Sequence, residues 1–278
     1  MKLFYIVACL AVAALFIIIY PEIAKVHSSL LTLNSKSSSE LPRMFRMNPL
    51  QASGSSQFSE ESFKTMISVI PSDKIVIVDL REESHGFLNG DAISWYMDRN
   101  WMNAGKSNNK IIEEEKTLLH TLSKRNFTFV YKHRQYPIPY FVHSVRSEQK
   151  LVESNSLQYF RLPVADHTRP SDSTVNKFVA FVKNLPEDTW LHFHCSAGKG
   201  RSTTFLAMYD MMLNATHDEF DPFITRQELW GGINLLSVPP KEVWKHPHIL
   251  ERTEFIRSFY RYCKENPDFK IKWSEWVS

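Results

Sequence analysis

The stretch His194–Ser202 reads HCSAGKGRS and is the most informative run in the 278-residue sequence. The residues that lead into it, Trp190–His194, are aromatic and apolar without a helical period, which predicts a strand. The residues that follow, Ser202–Leu213, predict a helix. A loop of the form Cys-x5-Arg therefore joins a strand to a helix. A similar alternation of strand-like and helical segments along the chain predicts an α/β fold.

The composition of this loop suits the binding of a phosphate group. Gly198 and Gly200 allow the backbone N–H groups to turn inward, and the helix that follows adds its positive N-terminal end. The same field favours the thiolate form of Cys195. Arg201 closes the loop, and its planar guanidinium can hold two oxygens at once. We therefore predict that Cys195 is a nucleophile and that Arg201 binds the phosphate that it attacks.

The other positions of the loop support this chemistry. Ser202 is expected to hydrogen-bond the sulfur of Cys195, and His194 is expected to support the loop through hydrogen bonds. The alternative interpretation is a buried structural cysteine in a tight turn, but such a turn does not call for this combination of residues. The predicted phosphate cradle consists of Ser196, Ala197, Gly198, Lys199 and Gly200.

A thiolate attack on a phosphate ester also needs a proton donor for the departing oxygen. Asp166 lies 29 residues before Cys195, at the start of the segment Asp166–Pro170 and after the strand-like Phe160–Val164. A lone aspartate before a turn that contains proline is by itself more typical of a helix cap. Its position relative to Cys195 favours the other interpretation, in which Asp166 is the general acid.

Three segments of the chain together resemble one family. They are His194–Ser202, Asp166–Pro170 and the block Asp79–Tyr96, which reads DLREESHGFLNGDAISWY. The combination resembles the bacterial protein-tyrosine-phosphatase-like inositol polyphosphatases, or cysteine phytases, from about Pro42 to the C-terminus. The cysteine loop is shared by all tyrosine and dual-specificity phosphatases. The other two segments are therefore what favours the phytases over those phosphatases.

The resemblance implies a fold and an activity. The fold would be an α/β phosphatase core, a central sheet flanked by helices, with a small β-rich partial-barrel insertion at about 126–156. The activity would be stepwise removal of phosphate from myo-inositol hexakisphosphate, without a metal or other cofactor. In addition to Cys195, Asp166 and Arg201, the resemblance implies that the substrate contacts include Arg46, Arg81, His167 and Lys199.

Other functions remain open at this stage. A protein tyrosine or dual-specificity phosphatase shares the cysteine loop and the acid, and Arg81 with the Asp79–Tyr96 block favours inositol phosphates over it. A phosphate-binding module without catalysis does not need both Cys195 and Asp166, and sulfur transfer of the rhodanese type does not need the acid. His246 and His248, which are separated only by Pro247, are interpreted as part of a surface turn and not as a metal site.

Composition restricts the partners only weakly. A formal net charge of +3 without a long basic run gives no indication of nucleic-acid binding. Three cysteines do not support a disulfide framework, and Cys263 is expected to be an inert core residue. The expected partner is a small molecule, an inositol polyphosphate, and the oligomeric state is left open.

The N-terminus predicts export. Lys2 is followed by eighteen uncharged residues from Leu3 to Tyr20, the pattern of a signal peptide or, if it is not cleaved, of a membrane anchor. We therefore divide the chain into a signal or anchor at 1–28, a serine-rich linker at 29–41 and a phosphatase domain at 42–278. The catalytic domain is expected in the periplasm or outside a bacterial cell, with membrane contact only through an uncleaved N-terminal segment.

Overall fold

The computed structural model describes residues 29–278, and the predicted signal or anchor at 1–28 lies outside them. Within the described part, no helix is long and apolar enough to cross a bilayer. The strands are β1 (Leu30–Ser35), β2 (Arg46–Asn48), β3 (Ala52–Ser56), β4 (Ile75–Arg81), β5 (His85–Leu88), β6 (Asp91–Tyr96), β7 (Phe127–Lys132), β8 (Tyr136–Phe141), β9 (Val145–Arg146), β10 (Gln158–Val164) and β11 (Trp190–Cys195). The helices are α1 (Glu60–Val69), α2 (Asn108–Ser123), α3 (Glu148–Glu153), α4 (Asp172–Lys183), α5 (Gly200–Asn214), α6 (Phe220–Leu229), α7 (His246–Glu265) and α8 (Trp273–Trp276), with a 3-10 turn at Asp98–Asn100.

A five-stranded sheet, ordered β10-β4-β11-β3-β2, forms the centre of the fold. Strands β10, β4, β11 and β3 are parallel, and β2 is antiparallel to β3. Every residue of β4 is buried, because its side chains alternate between two covered faces. Val76 and Val78 face the core built with α4, α5 and α7, whereas Ile75 and Ile77 face the core built with α1 and α3.

This topology gathers the ends of distant segments. Strands β4, β10 and β11 run in the same direction, so their last residues, Arg81, Val164 and Cys195, lie along one edge of the sheet. The carboxyl edge of a parallel sheet is where open α/β folds place their sites. The loops that follow these three strands therefore converge, although Arg81 and Cys195 are 114 positions apart in sequence.

A second sheet, ordered β8-β7-β1-β6-β5-β9, corrects two of the predicted boundaries. The β-rich unit is not confined to 126–156, because β1, β5 and β6 belong to the same sheet. The predicted linker at 29–41 contains β1, which pairs antiparallel with β6 and parallel with β7. Leu31 and Leu33 pack against the cluster that holds Ile93, and Thr32 donates to the backbone oxygen of Ser94 at 3.1 Å. This short strand was not predicted from the sequence, because serines surround it.

Candidate active site

Cys195 ends β11 and lies at the base of the site. Its side chain is buried, and the hydroxyl of Ser202 donates to its Sγ across 3.3 Å. The following loop turns through Gly198, which has a φ of +70°; a Cβ there would lie 2.4 Å from the backbone nitrogen of Ser56. Glycine is therefore required at 198 on two grounds, backbone conformation and space. Helix α5 begins at Gly200, so its N-terminal N–H groups and positive dipole end lie at the loop.

Arg201 is held by a two-pronged ion pair. Its Nη1 and Nη2 lie 2.7 and 3.0 Å from the two carboxylate oxygens of Glu83, and Nη1 also donates to the backbone oxygen of Val164 at 3.0 Å. Burial raises the pKa of Glu83, but the charges of Arg201 and Arg81 outweigh it and hold the pKa well below its ordinary value. The carboxylate therefore stays ionised and fixes the plane of the guanidinium.

Asp166 follows β10 and faces the same guanidinium. Its Oδ1 lies 3.2 Å from Nη2 of Arg201, and about a quarter of its side chain remains exposed. The next residue, His167, adopts a φ of +73° and donates its backbone N–H to Asp166 Oδ1 at 3.1 Å. Burial, with the nearby charges of Lys245 and Arg201, lowers the pKa of His167 against the opposing effect of Asp166. His167 is therefore a neutral ring beside the acid at neutral pH.

A cavity of about 920 Å³ opens above these groups. Its floor includes Ser196 and Ala197 of the cysteine loop and Asp166 and His167 of the acid loop. Its walls come from the second sheet and the loops beside it, and from the chain before α7. The remaining lining residues are Thr32, Leu33, Asn34, Lys36, Arg43, Ser94, Tyr96, Asp98, Arg99, Asn100, Lys132, His133, Arg134, Ile138, Trp244 and Lys245.

The rim of the cavity carries cations that the sequence did not single out. Arg43, Lys132 and Lys245 have no carboxylate within ion-pair distance among residues 29–278, whereas Arg99 lies 3.7 Å from Asp98. They come from four segments that are distant in sequence, so only the fold brings them together. A cavity lined in this way attracts a ligand with several negative charges.

Arg252 of α7 is a further cation that sequence reasoning missed. It is 4% exposed, and its Nε has no hydrogen-bond partner in the part of the chain that the structure describes. A Cβ at Gly200 would lie 2.7 Å from its Nη1, so the guanidinium lies against the start of α5. Burial lowers the pKa of Arg252, while Asp166 and Cys195 oppose this. Its charge lies at the phosphate end of the site.

Three residues predicted to contact substrate lie elsewhere. Lys199 is exposed and does not line the cavity, because it is the cap residue from which α5 starts. Arg46 is buried and donates to the backbone oxygen of Gly198 at 2.9 Å and to Thr203 at 3.1 Å. Burial lowers the pKa of Arg46 to about 10 against the charge of Cys195. The structure thus makes Arg46 a support of the cysteine loop from below.

Arg81 is also buried beneath the cavity and does not line it. Its Nε donates to Glu83 at 2.8 Å, and its Nη1 donates to Gln57 at 2.7 Å and to Asn34 at 3.0 Å. It therefore shares Glu83 with Arg201 and completes the support of that carboxylate. Direct contact of Arg81 with substrate stays a prediction, while its hydrogen bonds in this structure give it a supporting position.

A buried network lies under the loop. His194 Nε2 is 2.6 Å from Glu148 Oε1, an ion-pair distance, but neither ring nitrogen of His194 has a hydrogen-bond partner in the described chain, so the hydrogen-bonded support of the loop by His194 stays a prediction. Asp79, Glu148 and His194 bring potential metal-ligand atoms within 4.8 Å of one another. Asp79 is already engaged, because Tyr159 donates to it at 2.7 Å and Arg161 lies at 3.2 Å. We interpret the cluster as a neutralised ion-pair network.

The other histidine pair does not form the predicted surface turn. His246 and His248 lie in the first turn of α7, with Pro247 at the position where a helix tolerates proline. His246 Nδ1 lies 2.7 Å from the backbone oxygen of Pro239. His248 packs edge-on against Trp101, with ring centroids 5.1 Å apart.

Comparison with known proteins identifies the family. The family model of the PTP-like phytases, whose description reads "Inositol hexakisphosphate", matches residues 78–213. The structure of a PTP-like phytase from Bdellovibrio bacteriovorus is similar to this chain with a TM-score of 0.81 and 35% identity, covering 90% of this chain and 95% of that one. The chain belongs to the family of protein-tyrosine-phosphatase-like phytases. The resemblance and the α/β phosphatase fold inferred from the sequence are thereby confirmed.

Two other relatives are longer than this chain. The structure of the PTP-like myo-inositol phosphatase from Mitsuokella multacida, in complex with myo-inositol-(1,3,4,5)-tetrakisphosphate, is 35% identical with a TM-score of 0.86, covering 90% of this chain and 48% of that one. The effector protein hopD2 of Pseudomonas syringae pv. tomato is 28% identical over 242 residues, 83% of this chain and 52% of that protein. The chain therefore spans about half the length of these two relatives.

Proposed function

We propose that the protein removes phosphate stepwise from myo-inositol polyphosphates, beginning with the hexakisphosphate, through a phosphocysteine intermediate. The observation that carries this proposal is the assembly of Cys195, Ser202, Arg201 and Asp166 beneath a cavity rimmed by unpaired cations. Membership of the PTP-like phytase family supports it, as does the inositol tetrakisphosphate bound to the Mitsuokella relative.

In the first step, the Cys195 thiolate attacks the phosphorus of one ester group. The S–P bond forms as the bond from phosphorus to the inositol oxygen breaks, and Asp166 gives its proton to that oxygen. Arg201 and the N–H groups at the start of α5 hold the equatorial oxygens, whose charge they stabilise through the transition state. The products of the step are an inositol with one phosphate fewer and a phosphorylated Cys195.

In the second step, water attacks the phosphorylated cysteine. Asp166, now ionised, accepts a proton from the water, and the S–P bond breaks to return the thiolate and inorganic phosphate. Ser202 steadies the leaving sulfur, because its hydroxyl donates to Sγ. The cycle needs no external reductant, oxidant or metal ion.

The rim supplies selectivity for a substrate with many phosphates. Arg43, Lys132 and Lys245 line the cavity from three different segments of the chain, so that phosphates around one inositol ring can each face a separate cation. A phosphotyrosyl side chain has only one phosphate and makes no use of this arrangement. The geometry therefore favours inositol polyphosphates over phosphotyrosine.

The test is phosphate release by the purified full chain from inositol hexakisphosphate and from phosphotyrosyl peptides at equal concentration. We expect preference for the inositol ester and loss of turnover in Cys195→Ser. Cys263→Ser is the matched control, because Cys263 is a buried thiol on α7 whose pKa burial raises. Preference for the peptides would refute the substrate, and substantial activity of Cys195→Ser would refute the mechanism.

We also propose that the enzyme is exported. The support is the sequence of residues 1–28, where Lys2 precedes the uncharged stretch Leu3–Tyr20. Fractionation of the bacterial host is the test, with antibody detection of the chain in periplasm, medium, membrane and cytoplasm. Recovery of the chain with its N-terminus intact in the cytoplasm would refute export.

A further inference from the structure

The general-acid loop is held by a segment outside the three sequence motifs. Trp101 follows the 3-10 turn Asp98–Asn100, and its Nε1 donates to the backbone oxygen of Asp166 across 2.9 Å. The neighbouring Asn100 Nδ2 lies 3.5 Å from Asp166 Oδ2, the limit of a hydrogen bond. The indole bond therefore fixes the backbone of the acid, while the carboxyl group stays available for proton transfer.

The segment that presents Trp101 adopts an unfavourable backbone conformation. Arg99 and Asn100 have φ values of +57° and +68°, consecutive left-handed conformations in residues other than glycine. Such conformations cost about 1 kcal/mol or more each and persist where surrounding contacts impose them. Here the turn closes through a hydrogen bond from the N–H of Trp101 to the oxygen of Asp98 at 3.1 Å. The strained turn aims the indole at the acid loop.

Aromatic contacts hold the indole from the other side. The ring of Trp101 packs edge-on against Trp244 and His248, with centroids 6.0 and 5.1 Å apart. His167 of the acid loop packs against the same Trp244 at 5.2 Å. The guanidinium of Arg99 lies over Trp244 at 4.9 Å and near Trp101 at 5.5 Å. Both the indole and the acid loop are thus fixed to the chain before α7.

We propose that Trp101 is a positioning residue that holds the loop of Asp166 closed over the cysteine loop before substrate binds. This inference rests on the proposed function, because it assigns Trp101 an effect on proton donation to the leaving oxygen. A preorganised acid avoids the entropy of closing the loop during each turnover. Trp101 makes this contribution through the backbone of Asp166 and does not touch the reacting atoms.

The decisive variant is Trp101→Phe, which keeps an aromatic ring but removes the N–H group. We expect kcat/KM on inositol hexakisphosphate to fall by about tenfold, because kcat/KM reports the steps up to formation of the phosphocysteine and the alkoxide leaving group needs protonation. We expect kcat/KM on p-nitrophenyl phosphate to change less than about twofold, since that leaving group needs little protonation. Trp276→Phe is the matched control. Trp276 lies on α8, and the substitution removes a hydrogen bond of 3.1 Å from its indole N–H to Glu265.

A double variant separates positioning from general damage. If Trp101 acts through Asp166, then adding Trp101→Phe to Asp166→Asn lowers kcat/KM on the inositol ester no further. Equal losses of kcat/KM on both esters in Trp101→Phe, or full additivity with Asp166→Asn, would overturn the proposal. If the unaltered enzyme is active and Trp101→Phe turns over the inositol ester at the same rate, the role of Trp101 is overturned and the proposed function stands. No turnover of either ester by the unaltered chain would refute the proposed function and this role together.

Hydrogen exchange gives a readout that does not depend on turnover. The indole N–H signal of Trp101, assigned by its absence in Trp101→Phe, should exchange at least about tenfold more slowly than that of Trp244. The ring of Trp244 is 38% exposed, which makes it a suitable reference. Exchange of both indoles at the same rate would contradict a persistent bond to Asp166.

Discussion

The floor and the rim of the cavity use cations in opposite ways. On the floor, the buried arginines Arg201 and Arg81 share the carboxylate of Glu83 at distances of 2.7 to 3.0 Å. On the rim, exposed cations such as Arg43 and Lys132 have no carboxylate partner among residues 29–278. A paired, buried charge fixes geometry, whereas an unpaired, solvated charge attracts a ligand. The floor therefore sets the chemistry and the rim sets which phosphate ester reaches it.

The largest expected effect comes from removing the shared carboxylate of the floor. Glu83→Gln leaves Arg201 and Arg81 buried without their common counter-charge, so we expect a loss of about 3–5 kcal/mol in the free energy of unfolding. The kcat should fall as well, because the guanidinium of Arg201 loses its fixed plane. Urea unfolding at neutral pH and phosphate release measure the two effects.

The adjacent residue supplies the control for that experiment. Glu82 is the same type of residue, is also buried and has no partner for its Oε2 in the described chain. Glu82→Gln should therefore destabilise the protein far less than Glu83→Gln. Equal losses in the two variants would show that the bidentate pair is not what stabilises the floor.

The sequence predicted the core of the fold because the central strands are unambiguous. Strands β4 and β11 are continuous β-branched and aromatic runs, and such runs are typical of buried parallel strands. The second sheet was harder to predict. Strand β1 lies in a serine-rich stretch, and β8 contains Pro137 and Pro139, a residue type that is rare inside strands. Both prolines are accommodated because β8 is an edge strand.

The sequence predicted the floor of the site better than its rim. Cys195, Arg201 and Ser202 lie within one motif, and the loop of Asp166 has a recognisable spacing from it. The motif did not predict that Lys199 is exposed at the cap of α5, because a motif does not show on which side of a helix start a side chain lies. Cations from four distant segments meet only after β1, β7 and α7 have packed, so no local pattern could predict them: Arg43, Arg99, Lys132 and Lys245.

The rim should show a smaller effect that depends on the substrate. Lys132→Gln removes one unpaired cation, so we expect kcat/KM for inositol hexakisphosphate to fall by about 3- to 10-fold at low salt. The loss should shrink as ionic strength rises, because exposed charges are screened. For p-nitrophenyl phosphate, which carries a single phosphate, kcat/KM should change less than about twofold. Initial rates at two salt concentrations measure these differences.

A distant lysine makes the rim experiment specific. Lys177 is exposed on α4 and lines a different cleft, beside Phe160 and Phe181. Lys177→Gln changes the net charge by the same amount, so it should leave kcat/KM unaltered for both substrates. If it lowered the rate on the inositol ester as much as Lys132→Gln, then overall charge and not the rim would attract the substrate.

The smallest effect should come from Glu82 and should depend on pH. Burial, followed by the charge of Glu83, raises the pKa of Glu82 to about 7, although Arg201 and Lys106 oppose this. Between about pH 4.5 and 7 the folded protein keeps a proton that the unfolded chain has lost, so the free energy of unfolding falls as pH rises. Glu82→Gln removes this contribution and should flatten the profile by about 1 kcal/mol. Urea unfolding at about pH 5 and pH 7.5 measures the difference. An unchanged slope in Glu82→Gln would mean that Glu82 is ionised throughout, and the floor would then hold two carboxylates against its arginines.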